Sequence, residues 1–145
     1  MKKPLLIAML LIGIALVSAC TTQSKVAEDD QDFKDVYDRY KKSLILDGAG
    51  KYKVVYGDTL SAISRTKYNN GFYFPIIMLA SSDVVLDPDK IMPGMELTIP
   101  DVQKNLDNAD ARASIKDFLV EIAVLQEHRK RPLDAEGLRR LAASL

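Results

Sequence analysis

The chain has 145 residues, with 20 Lys and Arg against 20 Asp and Glu, one histidine and one cysteine. Balanced charge gives no case for nucleic acid or an anionic surface as partner. A single cysteine excludes an internal disulfide and a Cys-rich metal site, and a single histidine excludes most triad and His-based metal chemistry. The length suits one small domain with appendages, and the composition leans away from an enzyme and implies no cofactor.

Lys2 and Lys3 precede an apolar run over residues 5–19, which closes on the small residues Ser18 and Ala19 ahead of Cys20. A basic start, an apolar core and small residues before a break form a secretory signal, and the run is shorter than the ~20 residues of a membrane-spanning helix. Residues 1–19 are therefore read as a signal peptide. Val17, Ser18, Ala19 and Cys20 together resemble the lipobox of bacterial lipoproteins. That resemblance implies cleavage before Cys20, lipidation of Cys20 and residence in the cell envelope, facing the periplasm or the wall. Two or three acyl chains give stable membrane anchoring where one is marginal. Thr21 stands where many inner-membrane lipoproteins carry aspartate, which tilts the expectation towards an outer membrane where the host has one. Residues 20–31 are polar and acidic without periodicity and read as a flexible tether.

From Asp32 the pattern is helical. Phe33, Val36, Tyr37, Tyr40 and Leu44 recur at three- and four-residue steps and share one face. Asp32 can cap the start and Gly48 the end, so an amphipathic helix is expected over residues 32–48. Its aromatic stripe reads as a packing face, with the following module, the C-terminal region or a second copy as the partner.

Residues 51–56 alternate as a short strand, with Tyr52, Val54 and Tyr56 on one face. Gly57 breaks the strand, and either Asp58 or Thr59 can cap a helix that buries Leu60 and Ile63. Asn69-Asn70-Gly71 signals a turn, and a second helix follows with Pro75 in its first turn and an apolar run over 76–80. A loop containing Asp87, Pro88, Asp89, Lys90 and Ile91 leads to Pro93-Gly94, which suits a type II turn. Met95, Leu97 and Ile99 then alternate as a second strand, ended by Pro100.

Tyr52, Val54, Gly57-Asp58-Thr59-Leu60 and Ile63 at one end, with Asp89-Lys90-Ile91, Pro93-Gly94, Leu97 and Ile99-Pro100 at the other, resemble the LysM domain in order and spacing. The resemblance covers about a third of the chain and places a LysM module at 51–101. It implies an α+β fold of βααβ order, a two-stranded antiparallel sheet with both helices on one side, and binding of N-acetylglucosamine-containing glycan such as peptidoglycan. Ser81 stands where the family usually ends its second helix with asparagine, which leaves the adjoining loop less well braced than usual. Carried over by position, the implied glycan groove has Gly57, Asp58, Thr59 and Leu60 as its first wall. Leu86, Asp87, Pro88, Asp89 and Ile91 form the second. A backbone-rich, glycine-containing loop suits an N-acetyl group, which needs N–H and C=O partners and a small apolar recess. A shallow groove does not supply the facing, pKa-shifted carboxyl pair of glycoside hydrolysis, so no catalytic role is expected of Asp58, Asp87 or Asp89.

Residues 108–145 read as a C-terminal helical region. A helix starts at Asn108 or Asp110, carries the stripe Ile115, Phe118, Leu119, Ile122 and Leu125, and ends with Arg129, Lys130 and Arg131 before Pro132. The basic end and the lone His128 read as solvated surface. Leu133 and Asp134 look like a staple and cap for a short last helix through Leu138, Leu141 and Leu145. The expected function is non-catalytic peptidoglycan binding by a membrane-anchored envelope lipoprotein. The alternative is a LysM-fold scaffold whose flanking helices bind a protein partner or a second copy.

Overall fold

The computed structural model describes residues 20–145, with side chains from residue 30 onward. The expected signal peptide, and the side chain of Cys20, lie outside the described residues. The chain runs α1 (Cys20–Tyr40), β1 (Gly50–Lys53), α2 (Leu60–Tyr68), α3 (Phe74–Ala80), β2 (Glu96–Ile99), α4 (Val102–Asp107), α5 (Ala109–His128) and α6 (Pro132–Ser144). Among the described residues, no helix is long and apolar enough to cross a membrane.

The βααβ core is as expected. β1 and β2 pair antiparallel, with Tyr52 opposite Leu97 and Lys53 opposite Glu96. Thr59 is the residue that caps α2, its Oγ1 accepting from the Ala62 amide at 3.2 Å. Leu60 and Ile63 sit on the buried face of α2, and Pro75 occupies the first turn of α3, where a missing N–H costs nothing. Residues 74–79 of α3 are all buried, because α3 lies between α2, the sheet and α5. Ser81 replaces the expected asparagine as a brace: its Oγ accepts from the Thr98 amide at 2.9 Å and ties the end of α3 to β2.

The flanking helices complete one core with the module. Phe33, Val36 and Tyr37 of α1 are buried, and the Tyr37 and Tyr40 rings lie 6.1 and 5.6 Å from that of Phe118 in α5. The aromatic stripe of α1 thus has its partner within the same chain. Rim polar contacts seal this seam, with Tyr40 donating to Glu121 at 2.7 Å and Arg39 pairing with the same carboxylate.

Several boundaries differ from the reading of the sequence. Residues 20–31, expected as a flexible tether, belong to α1, which starts at Cys20 and not at Asp32. That helix ends at Tyr40 in a 3₁₀ turn (Lys41–Ser43), so it does not reach Gly48. Gly48 does take a left-handed φ of 84°, but in the turn leading to β1. β1 stops at Lys53, so Tyr56 does not share a strand face with Tyr52 and Val54 and is 95% exposed. Leu133 is 79% exposed and staples nothing; Pro132 itself opens α6.

Two features had no counterpart in the sequence reading. Asp101 caps the short helix α4, accepting from the Lys104 amide at 3.0 Å. From α4 the buried Asn105 reaches back to the α1–β1 connection. Its Oδ1 accepts from the Ile45 amide at 2.8 Å, and its Nδ2 donates to the Ile45 carbonyl at 2.9 Å and to the Asp101 carbonyl at 2.8 Å. A buried amide satisfied on both ends fixes that connection in one register.

α6 docks on the module through Gly137. A Cβ built there would fall 2.1 Å from Cε1 of Phe72, the residue that leads into α3. Gly137→Ala gains up to ~1 kcal/mol of helix propensity but overpacks the contact, so a net loss of about 1–2 kcal/mol is expected. Urea unfolding of Gly137→Ala, Phe72→Ala and the double variant checks this. The double variant should be more stable than the sum of the two losses predicts, and strictly additive losses would contradict the docking.

Candidate functional site

The first wall of the implied groove is a tight turn. Gly57 adopts φ 89°, which side-chain-bearing residues rarely take. Asp58 does not cap α2; its Oδ2 accepts from the Val55 amide and from the Tyr52 hydroxyl, each at 2.9 Å. The bond to Asp58 raises the Tyr52 pKa above the ordinary phenol value, because ionisation would place two anions together. Thr59 is exposed beside its cap, whereas Leu60 is 3% exposed and forms the floor under the turn.

The turn around Pro93 and Gly94 lies alongside. The Val54 amide donates to the Met95 carbonyl and the Gly94 amide to the Val54 carbonyl, both at 2.8 Å, with Gly94 at φ 95°. These bonds set the 92–95 turn next to residues 54–56. Val55, Tyr56 and Met92 are exposed at 57, 95 and 58% and form an apolar rim that the motif-based reading did not include.

The second wall is organised differently from the expectation. Pro88–Lys90 is a 3₁₀ turn capped by Asp87, whose Oδ1 accepts from the Asp89 amide at 2.9 Å. Asp87 is only 6% exposed, so its carboxylate is not a groove-lining group. It faces Arg129 at the end of α5, with Nη1 3.0 Å from Oδ1 and Nη2 3.2 Å from Oδ2. Nη2 of the same guanidinium donates to Asp89 at 3.0 Å, and Arg131 donates to Asp89 as well. The Arg129 guanidinium lies 5.3 Å from the centroid of the Phe33 ring of α1. Arg129 is thus an internal clamp and not part of a solvated patch, whereas Lys130 and Arg131 after it are exposed, as the sequence implied. His128 beside it is exposed.

From α1, the Tyr37 hydroxyl donates to the Leu86 carbonyl at 3.1 Å, and Lys90 pairs with Asp30 at 2.7 Å. Burial pushes the Tyr37 phenol far above its ordinary pKa, which keeps it a donor. Leu86, Pro88 and Ile91 are half-buried. All three carboxylates, Asp58, Asp87 and Asp89, are engaged by partners within the chain, although only Asp87 is buried and Asp89 stays partly open to solvent. The groups left exposed at the Gly57 end of the sheet are backbone, the Thr59 side chain and the apolar rim.

Two clefts lie elsewhere: one between α1 and α5, and one of about 540 Å³ around Tyr68, Tyr73 and Leu106. Neither is lined by the residues of the implied groove. Among the described residues, no group of three or more His, Cys, Asp or Glu side chains could hold a metal ion.

Residues 52–100 match the family model of the LysM domain. This region of the chain is a LysM domain. The chain is also similar to the potassium binding protein Kbp of Escherichia coli O6:H1, with 39% identity over 66 residues. That match covers 46% of this chain and 44% of Kbp, so it spans less than half of either protein. The LysM module accounts for β1 through β2, while the Arg129 clamp comes from outside it.

Proposed function

We propose that the LysM module binds the N-acetylglucosamine-containing glycan of peptidoglycan without cleaving it. In this reading the chain is an envelope lipoprotein held at a membrane by lipidated Cys20, with the outer membrane favoured. The observation that carries the glycan half is the LysM domain at 52–100, whose Gly57 turn offers close backbone approach beside an exposed tyrosine. The anchor rests on residues 17–20 alone. Gly57, Thr59, Tyr56 and the backbone of 87–91 are the contacts proposed; Asp58, Asp87 and Asp89 shape the walls from behind, and Leu60 supports the floor. A shallow groove of this kind binds at roughly micromolar to millimolar Kd, and a lipid tether raises the effective concentration at the wall.

The scaffold alternative has less to work with. The apolar stripes of α1 and α5 that would mediate self-association are buried against each other in one chain. A potassium site, by analogy with the name of Kbp, would need ligands other than the 87–89 carboxylates, which already pair with Arg129 and Arg131.

Amide chemical shifts of residues 20–145 titrated with a tetramer of N-acetylglucosamine test the reading, in sodium and in potassium buffer. The expected result is saturable shifts confined to residues 56–60 and 86–94 in both buffers. No shift in either buffer would overturn glycan binding, and shifts on exchanging the buffers alone would favour a potassium site.

A further inference from the structure

The loop proposed as the second groove wall, residues 86–91, is held by its own Asp87 cap and by groups outside the LysM domain. α1 supplies the Tyr37 hydroxyl to the Leu86 carbonyl and Asp30 to Lys90. The corner between α5 and α6 supplies Arg129 to Asp87 and Asp89, and Arg131 to Asp89. This corner has its own geometry. α5 ends with the Lys130 amide bonded to the Glu127 carbonyl and the Arg131 amide to the Gln126 carbonyl, both at 2.8 Å. That is the Schellman pairing, and it places Lys130 at φ 59°, in the left-handed region where glycine is usual. Strain of this kind persists where the surroundings hold it in place. Here it turns the chain so that the residues on either side of Lys130 reach the same carboxylate.

We infer that the α5–α6 corner is a latch, with Arg129 as the positioning residue that fixes loop 86–91 and thereby sets the ligand affinity of the LysM module. Arg129 suits the task. Its side chain is 14% exposed against 7% for Asp87, so the pair is little weakened by solvent, and its planar fork reaches two carboxylates at once. One arm is less than ideal, since Nη1 sits at ion-pair distance from Asp87 without a hydrogen-bonding direction. The affinity half of the inference rests on the glycan reading; the latch does not.

Hydrogen exchange at the amides of residues 89–92, measured on chain 20–145, reads the latch without any ligand. Arg129→Gln should speed exchange there by about tenfold or more while the β1–β2 amides stay as protected as before. It should weaken binding of the N-acetylglucosamine tetramer by about fivefold, with Arg129→Lys in between. Because losing the enclosed Arg129 charge also bears on the fold, Asp89→Asn provides a milder case at a half-exposed position, with a smaller acceleration at the same amides expected. Arg140→Gln, which breaks only an exposed pair within α6, serves as the control. Unchanged exchange at 89–92 in both variants, or uniform acceleration across the sheet, would overturn the latch. Faster loop exchange with unchanged affinity would overturn its role in binding. A parent chain that binds no tetramer, together with faster loop exchange in the variants, would uphold the latch and sink the glycan reading instead.

Discussion

Phe118→Ala is expected to destabilise the protein by about 3–5 kcal/mol, the range for an aromatic side chain removed from a packed core. Phe118 is fully buried and is the point where α5 meets both Tyr37 and Tyr40 of α1. Its loss leaves a cavity that two flat rings cannot readily collapse into. Thermal unfolding should show a drop of roughly 10–20 °C for a chain of this size. The damage should also reach the groove, because Tyr37 holds the Leu86 carbonyl. Val120→Ala, two residues away on the half-exposed face of the same helix, should change stability by no more than ~0.5 kcal/mol. Similar losses for the two variants would mean that α1 does not dock on α5 as described.

Asp87→Ala should cost about 2–3 kcal/mol, well above Asp89→Ala at ~1 kcal/mol or less. The two aspartates share Arg129 but differ in setting. Asp87 is buried, caps the 3₁₀ turn through the Asp89 amide, accepts a hydrogen bond from Nη2 of the guanidinium and has Nη1 at ion-pair distance. Removing it strands a largely buried arginine beside Phe33 with only the half-exposed Asp89 to answer it. Removing Asp89 leaves the Arg129–Asp87 pair in place. Denaturant unfolding at constant m separates the cases, and equal losses would show that burial of Asp87 carries no energetic weight.

The parts of the fold that could be read from the sequence are those dictated by neighbours along the chain. Gly57 and Gly94 take the positive φ that their turns demand, Thr59 caps α2, and Pro75 opens α3. The stripes of α1 and α5 were visible from their periodicity, though not which surfaces they would meet. Errors arose where local patterns stop being decisive. The alternation of β1 continues to Tyr56, past the point where the Val55–Asp58 turn ends the pairing. Residues 20–31 lack an apolar period, so their helicity had no signature in the sequence. α4 is too short to show a period at all.

The candidate site divides in the same way. Its first wall is a local turn and was legible. Its second wall depends on Arg129 meeting Asp87 across 42 positions of sequence, and nothing near either residue announces the pairing. Family spacing points to Asp87 and Asp89 as wall residues but carries no sign that both pair with Arg129, or that Asp87 is buried in doing so.

The most direct test of the central claim is co-sedimentation of chain 20–145 with purified peptidoglycan sacculi. The account predicts that the protein pellets with the sacculi and that soluble N-acetylglucosamine oligomers release it. Protein left entirely in the supernatant, with its fold verified by circular dichroism, would contradict glycan binding.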